Sequence, residues 1–476
     1  MSNHVSRRGF MKTAGAAAGV TLALGRAPFS YAANERIRVA SIGTGGQGSF
    51  HLRDGLSRAH NIDIVAVCDV YRPHLEGGWK NAGGGNVKKY MDYREMLDKE
   101  EFEAVCITTP LDSHYQLTKD CLEAGKHCFT EKTLCQTVEQ CREVCTIAHD
   151  KNLILQVGHQ RRYNPTYNHA IKLAWEEGVL GRINHVDCQW HRNNDWRRPV
   201  SRAPLSAEER KFIPDLERHI NWRLYKEKSG GLMCELATHQ LDIANWFLDA
   251  MPYRVFGYGG TDYWRDGREV RDTVNLVYEY HISPENRGFR AIKPRSKEQY
   301  LHSRKTDALN AKGLISEPYK VYFVYSSICG NAMRGCTELI QGDQGTFEMT
   351  ETGSLFFREV GAKVAWADSA QRDEDDQNAL VITSGGTLGL SNKKRKDAKP
   401  FAVDTDKSPD QRQFEGFADC AMHGGQPQSN YMVGLRSAIC GHSGLEALEK
   451  GHEVIIDPAW YTFDFETPDP SMHYEA

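Results

Sequence analysis

The sequence runs Ile37-Arg-Val-Ala-Ser-Ile-Gly43-Thr-Gly45-Gly-Gln-Gly48 near its beginning, so that a short apolar segment leads directly into spaced glycines. A second apolar segment, Ile62–Cys68, is followed by Asp69, about twenty residues beyond the glycines. We predict strands at Arg36–Ile42 and Ile62–Cys68, with a helical segment at Ser49–Arg58 between them. A strand, a glycine turn, a helix and a second strand that ends on an acid together predict a dinucleotide-binding unit.

The glycines of this segment have distinct physical roles. Gly43 allows the tight turn, Gly45 lets the main chain approach a pyrophosphate, and Gly48 permits close packing of the helix on the strand. The beginning of the helix adds free N–H groups and the positive end of the helix dipole. The predicted cofactor-binding residues of this loop are Gly43, Gly45, Gln47 and Gly48.

Asp69 is the residue that selects the cofactor. Its carboxylate is expected to accept hydrogen bonds from ribose hydroxyls, and its charge would repel a 2′-phosphate. We therefore expect NAD rather than NADP, although Arg72 would soften that preference. The alternative interpretation is a glycine-rich turn followed by an aspartate that caps a helix.

From Arg36 to Gly158, apolar strands alternate with helical segments. Further strands are predicted at Glu103–Thr108, His127–Glu131 and Leu153–Val157, and helices at Ser113–Ala124 and Val138–His149. The alternation predicts a parallel, doubly wound α/β sheet, in which ligands bind beyond the carboxyl ends of the strands. The glycine-rich segment Glu76–Asn86 is expected to be a mobile surface loop. The residues expected to border the cofactor crevice are Thr109, Pro110, His114, Glu131 and Lys132.

The composition is that of a soluble enzyme. The chain has 476 residues, of which 40% are hydrophobic and 26% charged, and a net charge of −4 gives no sign of a nucleic-acid partner. Its 13 cysteines are an odd number without a CxxC pair. We therefore predict no structural disulfide and no metal site.

The N-terminal segment resembles a twin-arginine export signal. Ser6-Arg7-Arg8-Gly-Phe10-Met-Lys12 precedes an apolar run, Thr13–Leu24, that is too short to anchor the chain stably in a membrane. We expect residues 1–33 to be a signal peptide and the mature protein to be periplasmic. Because this export route carries folded proteins with their cofactor inside, and free NAD is not a dependable supply outside the cytoplasm, we expect tightly bound NAD.

The residues after about Arg161 predict a second domain built on a large, mainly antiparallel sheet. Its strands are predicted at Ile183–Trp190, Tyr253–Gly259, Thr273–Tyr280, Lys320–Ser326, Gly345–Met349 and Ser354–Arg358. The basic segment Ser283–Ser316 lacks periodicity and is interpreted as an inserted loop or a subunit-wrapping arm without assigned chemistry.

Aromatic and basic residues crowd two segments of this second domain, Trp190–Arg198 and Asn221–Tyr225. This mixture suits a sugar or glycoside, because aromatic faces cover C–H patches and planar polar groups bind hydroxyls. A basic surface loop with buried aromatic side chains is an equally good interpretation. The predicted substrate-binding residues are Arg162, Tyr163, Trp196, Arg197 and Trp222.

Glu235, His239 and Asp242 have the spacing i, i+4 and i+7, which places two carboxylates beside an imidazole on one helix face. Such a face suits proton transfer, because a neighbouring carboxylate fixes the tautomer of a histidine and raises its basicity. A solvated polar face is the alternative. The preceding glycines and the apolar Trp246 and Phe247 favour a helix packed inside the protein.

These motifs, in this order and spacing, resemble those of the Gfo/Idh/MocA oxidoreductases. The resemblance includes the glycine fingerprint with Asp69, the Thr109-Pro110 and Glu131-Lys132 pairs, the segment Gly158–Pro165, and the helix that begins after Gly230-Gly231. It implies an NAD-binding Rossmann domain at 34–160 and an α+β domain at 161–476. The open face of the second sheet is implied to form a homo-oligomer, which we expect to be a dimer or tetramer.

The resemblance also implies the catalytic residues Lys132, Glu235 and His239. His239 would move the hydroxyl proton, Lys132 would polarise the developing carbonyl oxygen, and Glu235 and Asp242 would orient the imidazole or bind substrate hydroxyls. Two residues depart from the family pattern. Thr133 replaces a proline, so a trans peptide bond is expected there, and Glu235 replaces a more common aspartate.

The leading hypothesis is an exported, NAD-dependent oxidoreductase that acts on a secondary hydroxyl of a sugar or glycoside. One alternative is an NAD-dependent glycosidase, in which transient oxidation acidifies a C–H bond, elimination expels the aglycone, and the cofactor is restored in each turnover. Another is a non-catalytic sugar-binding protein that retains NAD.

Overall fold

The computed structural model describes residues 36–290, 317–350, 353–359, 381–383 and 406–472. The predicted export signal and residues 291–316 of the predicted insertion lie outside the described residues. Within the described part of the chain, no helix is both long and apolar enough to cross a bilayer.

The first half of the chain forms a six-stranded sheet with the order β3-β2-β1-β4-β5-β6, in which every pair is parallel. The strands are β1 (Ile37–Ile42), β2 (Ile62–Cys68), β3 (Lys88–Tyr90), β4 (Ala104–Ile107), β5 (His127–Thr130) and β6 (Leu155–Val157). Strands β4 and β6 are buried at every residue, as expected when helices cover both faces of a parallel sheet. The predicted doubly wound α/β sheet is confirmed.

Five helices connect these strands. They are α1 (Gly46–Phe50), α2 (Arg72–Asn81), α3 (Tyr93–Lys99), α4 (Leu111–Glu123) and α5 (Val138–Asp150). Helix α1 continues through one π-helical turn, His51–Gly55, and one 3-10 turn, Leu56–Arg58.

The expectation of a loop over Glu76–Asn86 is wrong as far as Asn81. Pro73 occupies the first turn of α2, where its missing N–H costs nothing, and Leu75 and Gly78 are buried. Burial of these residues outweighs the low helix propensity of the glycines. The glycines at 83, 84 and 85, which have positive φ angles, end the helix.

The second sheet has nine strands in the order β14-β13-β12-β11-β7-β10-β9-β8-β15. Among the described strands of this second sheet, only β7 with β10 and β13 with β14 pair in parallel, and the other pairs are antiparallel. The strands are β7 (Ile183–His191), β8 (Pro252–Gly260), β9 (Thr273–Ile282), β10 (Tyr319–Ile328), β11 (Cys336–Gly342), β12 (Gly345–Thr350), β13 (Gly353–Arg358), β14 (Val381–Thr383) and β15 (Val454–Ile455). The predicted combination of an α/β layer and a mainly antiparallel sheet is confirmed.

Six of the described helices accompany the second sheet or pack on the first. They are α6 (Pro165–Lys172), α7 (Leu216–Ile220), α8 (Thr238–Leu248), α9 (Arg287–Arg290), α10 (Pro409–His423) and α11 (Tyr431–Lys450). Helix α8 is preceded by a π-helical turn, Met233–Ala237, and every residue of α8 is buried. The core of the second sheet therefore encloses this helix.

The last two long helices pack on the first sheet. Phe414 and Phe417 of α10 share a core with Phe129 of β5, and Leu435 and Ile439 of α11 share another with residues of β5 and β6. The C-terminal part of the chain therefore helps to cover the first sheet. All 13 cysteines are free thiols, and most of them are buried.

Candidate active site

One cavity of about 1130 Å³ extends from the glycine loop after β1 to the beginning of helix α8. Both halves of the chain line it, so residues far apart in sequence face the same space. From the first half come Gly43, Gly45, Gln47, Asp69, Thr109, Pro110, His114, Glu131 and Lys132. From the second half come Trp190, Trp196, Arg198, Trp222, Arg223, Glu235 and His239.

The glycine loop has the close packing that a dinucleotide cradle requires. Gly43 has a φ angle of +85°, and a Cβ atom there would lie 2.7 Å from the main-chain carbon of Thr108. A Cβ atom on Gly48 would lie 1.9 Å from the carbonyl oxygen of Gly43. Gly48 therefore packs the helix against the turn, as predicted for its role, and does not itself line the cavity.

The beginning of helix α1 is open to an anion. No side chain caps it, and its first turn contains no acidic residue. The N–H groups there are thus available to a diphosphate, which the positive end of the helical segment also favours. The loop fits the predicted dinucleotide.

Asp69 lies at the end of β2 with its carboxylate fixed in the cavity wall. Its oxygens accept hydrogen bonds from the N–H groups of Thr44, at 2.8 Å, and Tyr71, at 2.9 Å. Because both oxygens are held, the carboxylate is preorganised as an acceptor for ribose hydroxyls.

A cluster that could bind a metal surrounds this same carboxylate. One ligand atom from each of Asp69, His74 and His219 lies within 4.8 Å of the others. A carboxylate with two imidazoles is a donor set that suits zinc. Since Asp69 is also the expected acceptor for the cofactor ribose, a metal and the dinucleotide would compete for it.

Lys132 reaches across from the first sheet to the turn before α8. Its Nζ donates a hydrogen bond to the carbonyl of Glu235 at 2.9 Å. The peptide bond between Lys132 and Thr133 is cis, so the expected trans bond is wrong. Thr133 is held by two contacts: its hydroxyl donates to the carbonyl of Cys234 at 2.8 Å, and its own carbonyl lies 2.9 Å from Nδ1 of His114.

Glu131 lines the cavity, but residues of the first half of the chain bind both of its carboxylate oxygens. Its Oε1 lies 2.6 Å from Nε2 of His51, and its Oε2 accepts from the N–H of Lys132 at 3.0 Å. Burial by itself would raise the pKa of Glu131, but the hydrogen bond from His51 and the charge of Lys132 outweigh it, so the pKa is lowered. Glu131 is therefore an anion that supports the Lys132 main chain.

Glu235 does not contact the imidazole of His239, contrary to one of the roles expected for it. Its Oε2 accepts from Nε of Arg223 at 3.1 Å, and its Oε1 lies 3.3 Å from the hydroxyl of Ser229. The reason is the π-helical turn at Met233–Ala237, which changes the helical register before His239. Glu235 therefore forms an ion pair that lines the cavity.

His239 is a neutral, buried imidazole. Its Nδ1 is buried and has no hydrogen-bond partner among the described residues. Burial, followed by the charges of Lys132 and Arg161, lowers the pKa of His239 well below its ordinary value. The expected rise in basicity from a neighbouring carboxylate is therefore wrong, because cations surround the ring. A neutral imidazole can accept a proton.

Of the predicted substrate-binding residues, Arg162, Tyr163, Asp242 and Arg197 lie outside the cavity. Arg162 binds Asp242 through Nε and Nη2, at 2.9 and 2.8 Å, and both side chains are buried. The hydroxyl of Tyr163 donates to Gln156 at 3.0 Å. Arg162, Tyr163 and Asp242 are thus structural, because their polar groups already satisfy one another or neighbouring residues.

In the loop after β7, some side chains line the cavity and others are held in ion pairs outside it. Trp196 lines the cavity, as does Trp222, in agreement with their predicted positions. Arg197 does not, because it is held by Glu217 and by Asp266, whose Oδ2 lies 3.3 Å from Nε. The next residue, Arg198, lines the cavity instead.

Sequence reasoning missed Trp190, Arg198 and Arg223 as cavity residues. Each of them lies in one of the two aromatic and basic segments identified from composition. The segments were therefore located correctly, but no local pattern distinguishes the inward residue from its neighbour.

Two family profiles match this chain. The one described as the oxidoreductase family, NAD-binding Rossmann fold, matches residues 37–159. The one described as the GFO/IDH/MocA C-terminal domain matches residues 169–282. The prediction of an NAD-binding domain is confirmed.

Similar proteins include inositol dehydrogenases. The chain is 25% identical over 296 residues to the inositol 2-dehydrogenase/D-chiro-inositol 3-dehydrogenase of Lactiplantibacillus plantarum, covering 59% of this chain and 71% of the relative. It is 30% identical over 216 residues to inositol 2-dehydrogenase of Salmonella typhimurium, covering 45% of this chain and 55% of the relative.

Solved structures share the fold. Aldose-aldose oxidoreductase from Caulobacter crescentus, solved with glycerol, superposes with a TM-score of 0.61 over 88% of this chain and 100% of that one, at 16% identity. At this identity the likeness establishes the architecture, and the site must be judged from its own residues.

Proposed function

This chain belongs to the Gfo/Idh/MocA family of NAD-binding oxidoreductases, and from that premise we propose that it oxidises a secondary hydroxyl of a sugar or glycoside. One observation carries the proposal: the dinucleotide loop, the cation of Lys132 and the neutral imidazole of His239 line a single cavity. A secondary alcohol loses a proton from oxygen and a hydride from carbon, and the cavity provides for both.

The residues of the chain perform the proton chemistry. Bound NAD supplies the acceptor for the hydride. His239 takes the hydroxyl proton, because its lowered pKa keeps it neutral at physiological pH. The ammonium of Lys132 stabilises negative charge on the substrate oxygen until the carbonyl forms.

The cofactor is held by groups that a dinucleotide requires. Asp69 would accept from the ribose hydroxyls, and the N–H groups of Gly45, Gly46 and Gln47, which line the cavity, would hold the diphosphate. The close contacts of Gly43 and Gly48 hold the loop in this shape.

The substrate end of the cavity suits a carbohydrate. Trp190, Trp196 and Trp222 line it and offer aromatic faces to C–H patches. The Arg223–Glu235 pair offers a planar donor and an acceptor to hydroxyls. The inositol dehydrogenases to which this chain is similar support a polyhydroxylated substrate with secondary alcohols.

Export and non-dissociating NAD complete the proposal. The motif Ser6–Lys12 supports export through the twin-arginine route to the periplasm. An exported enzyme without a dependable cofactor supply needs to keep its NAD and to regenerate it in place.

The first experiment asks what the purified protein contains and oxidises. Denatured protein is analysed by mass spectrometry for released NAD(H), and the intact protein is then given a panel of polyols, sugars and glycosides. We expect the near-ultraviolet absorbance of reduced nicotinamide to rise and a keto product to form. Release of a free reducing sugar with no net change in the cofactor would instead support the glycosidase alternative.

Variants test the catalytic assignment. We expect Lys132→Ala and His239→Ala each to lower kcat by about 10² to 10⁴-fold. The matched control is His452→Ala, an exposed histidine far along the chain. If neither cavity variant changes turnover on any substrate that the wild type processes, the proposal is wrong.

A further inference from the structure

We propose that Arg198, whose guanidinium lies beside the glycine loop, binds the diphosphate of the dinucleotide together with that loop and thereby retains the cofactor. The side chain comes from the loop after β7, so the second half of the chain closes over a group held by the first. A Cβ atom placed on Gly46 would lie 3.1 Å from Nη1 and 3.4 Å from Nη2 of Arg198. The guanidinium therefore lies directly over the loop.

The main chain of Arg198 is anchored on both sides. Its N–H donates to Oδ1 of Asn221 at 2.7 Å, and its carbonyl accepts from Nδ2 of the same side chain at 3.2 Å. The preceding residue, Arg197, is bound to Glu217 and Asp266. The loop is thus held in place while the end of the Arg198 side chain projects into the cavity.

The guanidinium of Arg198 lacks an anionic partner. Within the part of the chain that the structure describes, it makes no hydrogen bond and no ion pair, and the charged neighbour that affects it is another cation, Arg223. Asp69, the acid of the cofactor site, is held by main-chain N–H groups. An unpaired guanidinium beside an uncapped helix N-terminus thus forms the second half of an anion site.

A diphosphate bound at the loop would lie within reach of both groups. The N–H groups of the loop would donate to some of its oxygens, and the planar guanidinium, which lies next to Gly46, would donate two parallel hydrogen bonds to others. A cofactor held by both groups would leave slowly, because the Arg198 contacts must break first. This inference rests on the proposed function, in that the cavity must hold NAD.

The test measures retention of the cofactor rather than activity. Full-length wild type, Arg198→Gln, Arg198→Lys and the control Arg202→Gln are purified and passed through gel filtration in low and high salt. Arg198 and Arg202 are both exposed residues of the same loop, but Arg202 does not line the cavity, and its variant loses the same charge. NAD(H) per chain is then measured after denaturation, and thermal melting checks that each variant is folded.

We expect Arg198→Gln to retain less than about a tenth of the NAD(H) held by wild type and to weaken binding of ADP-ribose by about 10 to 100-fold. Binding of adenosine, which has no diphosphate, stays unchanged. Arg198→Lys is intermediate, because lysine keeps the charge without the planar fork. Arg202→Gln behaves as wild type.

Two outcomes overturn the inference in distinguishable ways. If wild type holds NAD(H) and folded Arg198→Gln holds and binds it equally well, the role of Arg198 is wrong and the proposed function stands. If folded wild type binds neither NAD nor ADP-ribose, the proposed function and the role of Arg198 both fail.

Discussion

Two groups of ionisable side chains have opposite surroundings: the buried ion pair of Arg162 and Asp242, and the cavity pair, which here means Lys132 and His239, both of which line the cavity. In the buried ion pair, Arg162 and Asp242 satisfy each other through several hydrogen bonds. In the cavity pair, Lys132 donates to a main-chain carbonyl, and Nδ1 of His239 has no partner among the described residues. A buried polar atom without a partner costs about 1–3 kcal/mol, so the unpartnered Nδ1 of His239 does not stabilise the fold, whereas the ion pair of Arg162 and Asp242 is fully satisfied.

The largest expected effect comes from His239→Leu. This variant removes the proton acceptor, and we expect kcat to fall by about 10² to 10⁴-fold, while the melting temperature does not fall. Leucine fills a similar volume and leaves no unpaired nitrogen. Steady-state kinetics and thermal melting on the same preparation check both parts.

The pH dependence of turnover sharpens this prediction. Since the pKa of His239 lies well below its ordinary value, the base stays neutral as the pH falls through about 6.5, and kcat stays constant there. Activity declines only at lower pH. A decline centred at or above pH 6.5 would argue against a buried neutral base.

For Asp242→Asn we expect the main effect on the stability of the fold rather than on kcat. Removing one partner leaves the guanidinium of Arg162 buried without its counter-charge, which we expect to destabilise the fold by about 3–5 kcal/mol. Calorimetric melting measures the loss. The control is Glu446→Gln, which breaks the exposed Lys450–Glu446 pair and should leave melting unchanged. An unchanged melting temperature for Asp242→Asn would remove the distinction between the two groups.

A smaller effect is expected on the pH dependence of the free energy of unfolding. It comes from His159, which lies beside the buried ion pair of Arg162 and Asp242. Burial lowers the pKa of His159 to about 4, so the folded protein keeps it neutral while the unfolded chain gains a proton below about 6.5. The free energy of unfolding therefore decreases as the pH falls from about 6.5 to 4, by up to about 3 kcal/mol for this residue. His159→Gln should flatten that dependence in denaturant titrations. An equal slope in the variant would contradict the assignment.

The smallest effect is expected from Thr133→Val. It keeps the shape of the side chain and removes the hydrogen bond to the carbonyl of Cys234, which contributes about 1 kcal/mol. Because that bond joins the Lys132 strand end to the turn before α8, we expect a modest fall in kcat with retained NAD. Loss of all activity would show that the hydroxyl has a direct chemical role.

The first half of the fold was predictable because its signals are local. The glycines, the apolar strands and Asp69 lie within a short segment, and each has a stereochemical meaning of its own. Strand β11 was missed because it pairs with β7, whose Trp190 lies opposite Cys336 far along the chain. Its own sequence has no strong alternation.

The site was predicted in part for a related reason. Helical spacing predicted Glu235, His239 and Asp242 on one face. The π-helical turn separates Glu235 from His239, and Asp242 forms an ion pair with Arg162. Similarly, nothing in two adjacent arginines tells which one faces the cavity. In the structure Glu217 and Asp266 bind Arg197, and Arg198 lines the cavity.

A crystal structure of the full chain with NAD tests the central claim most directly. The account predicts that the diphosphate lies against Gly45–Gln47, the adenosine ribose on Asp69, and the nicotinamide ring beside Lys132 and His239. A dinucleotide bound outside this cavity, or a nicotinamide ring directed away from both side chains, would contradict it.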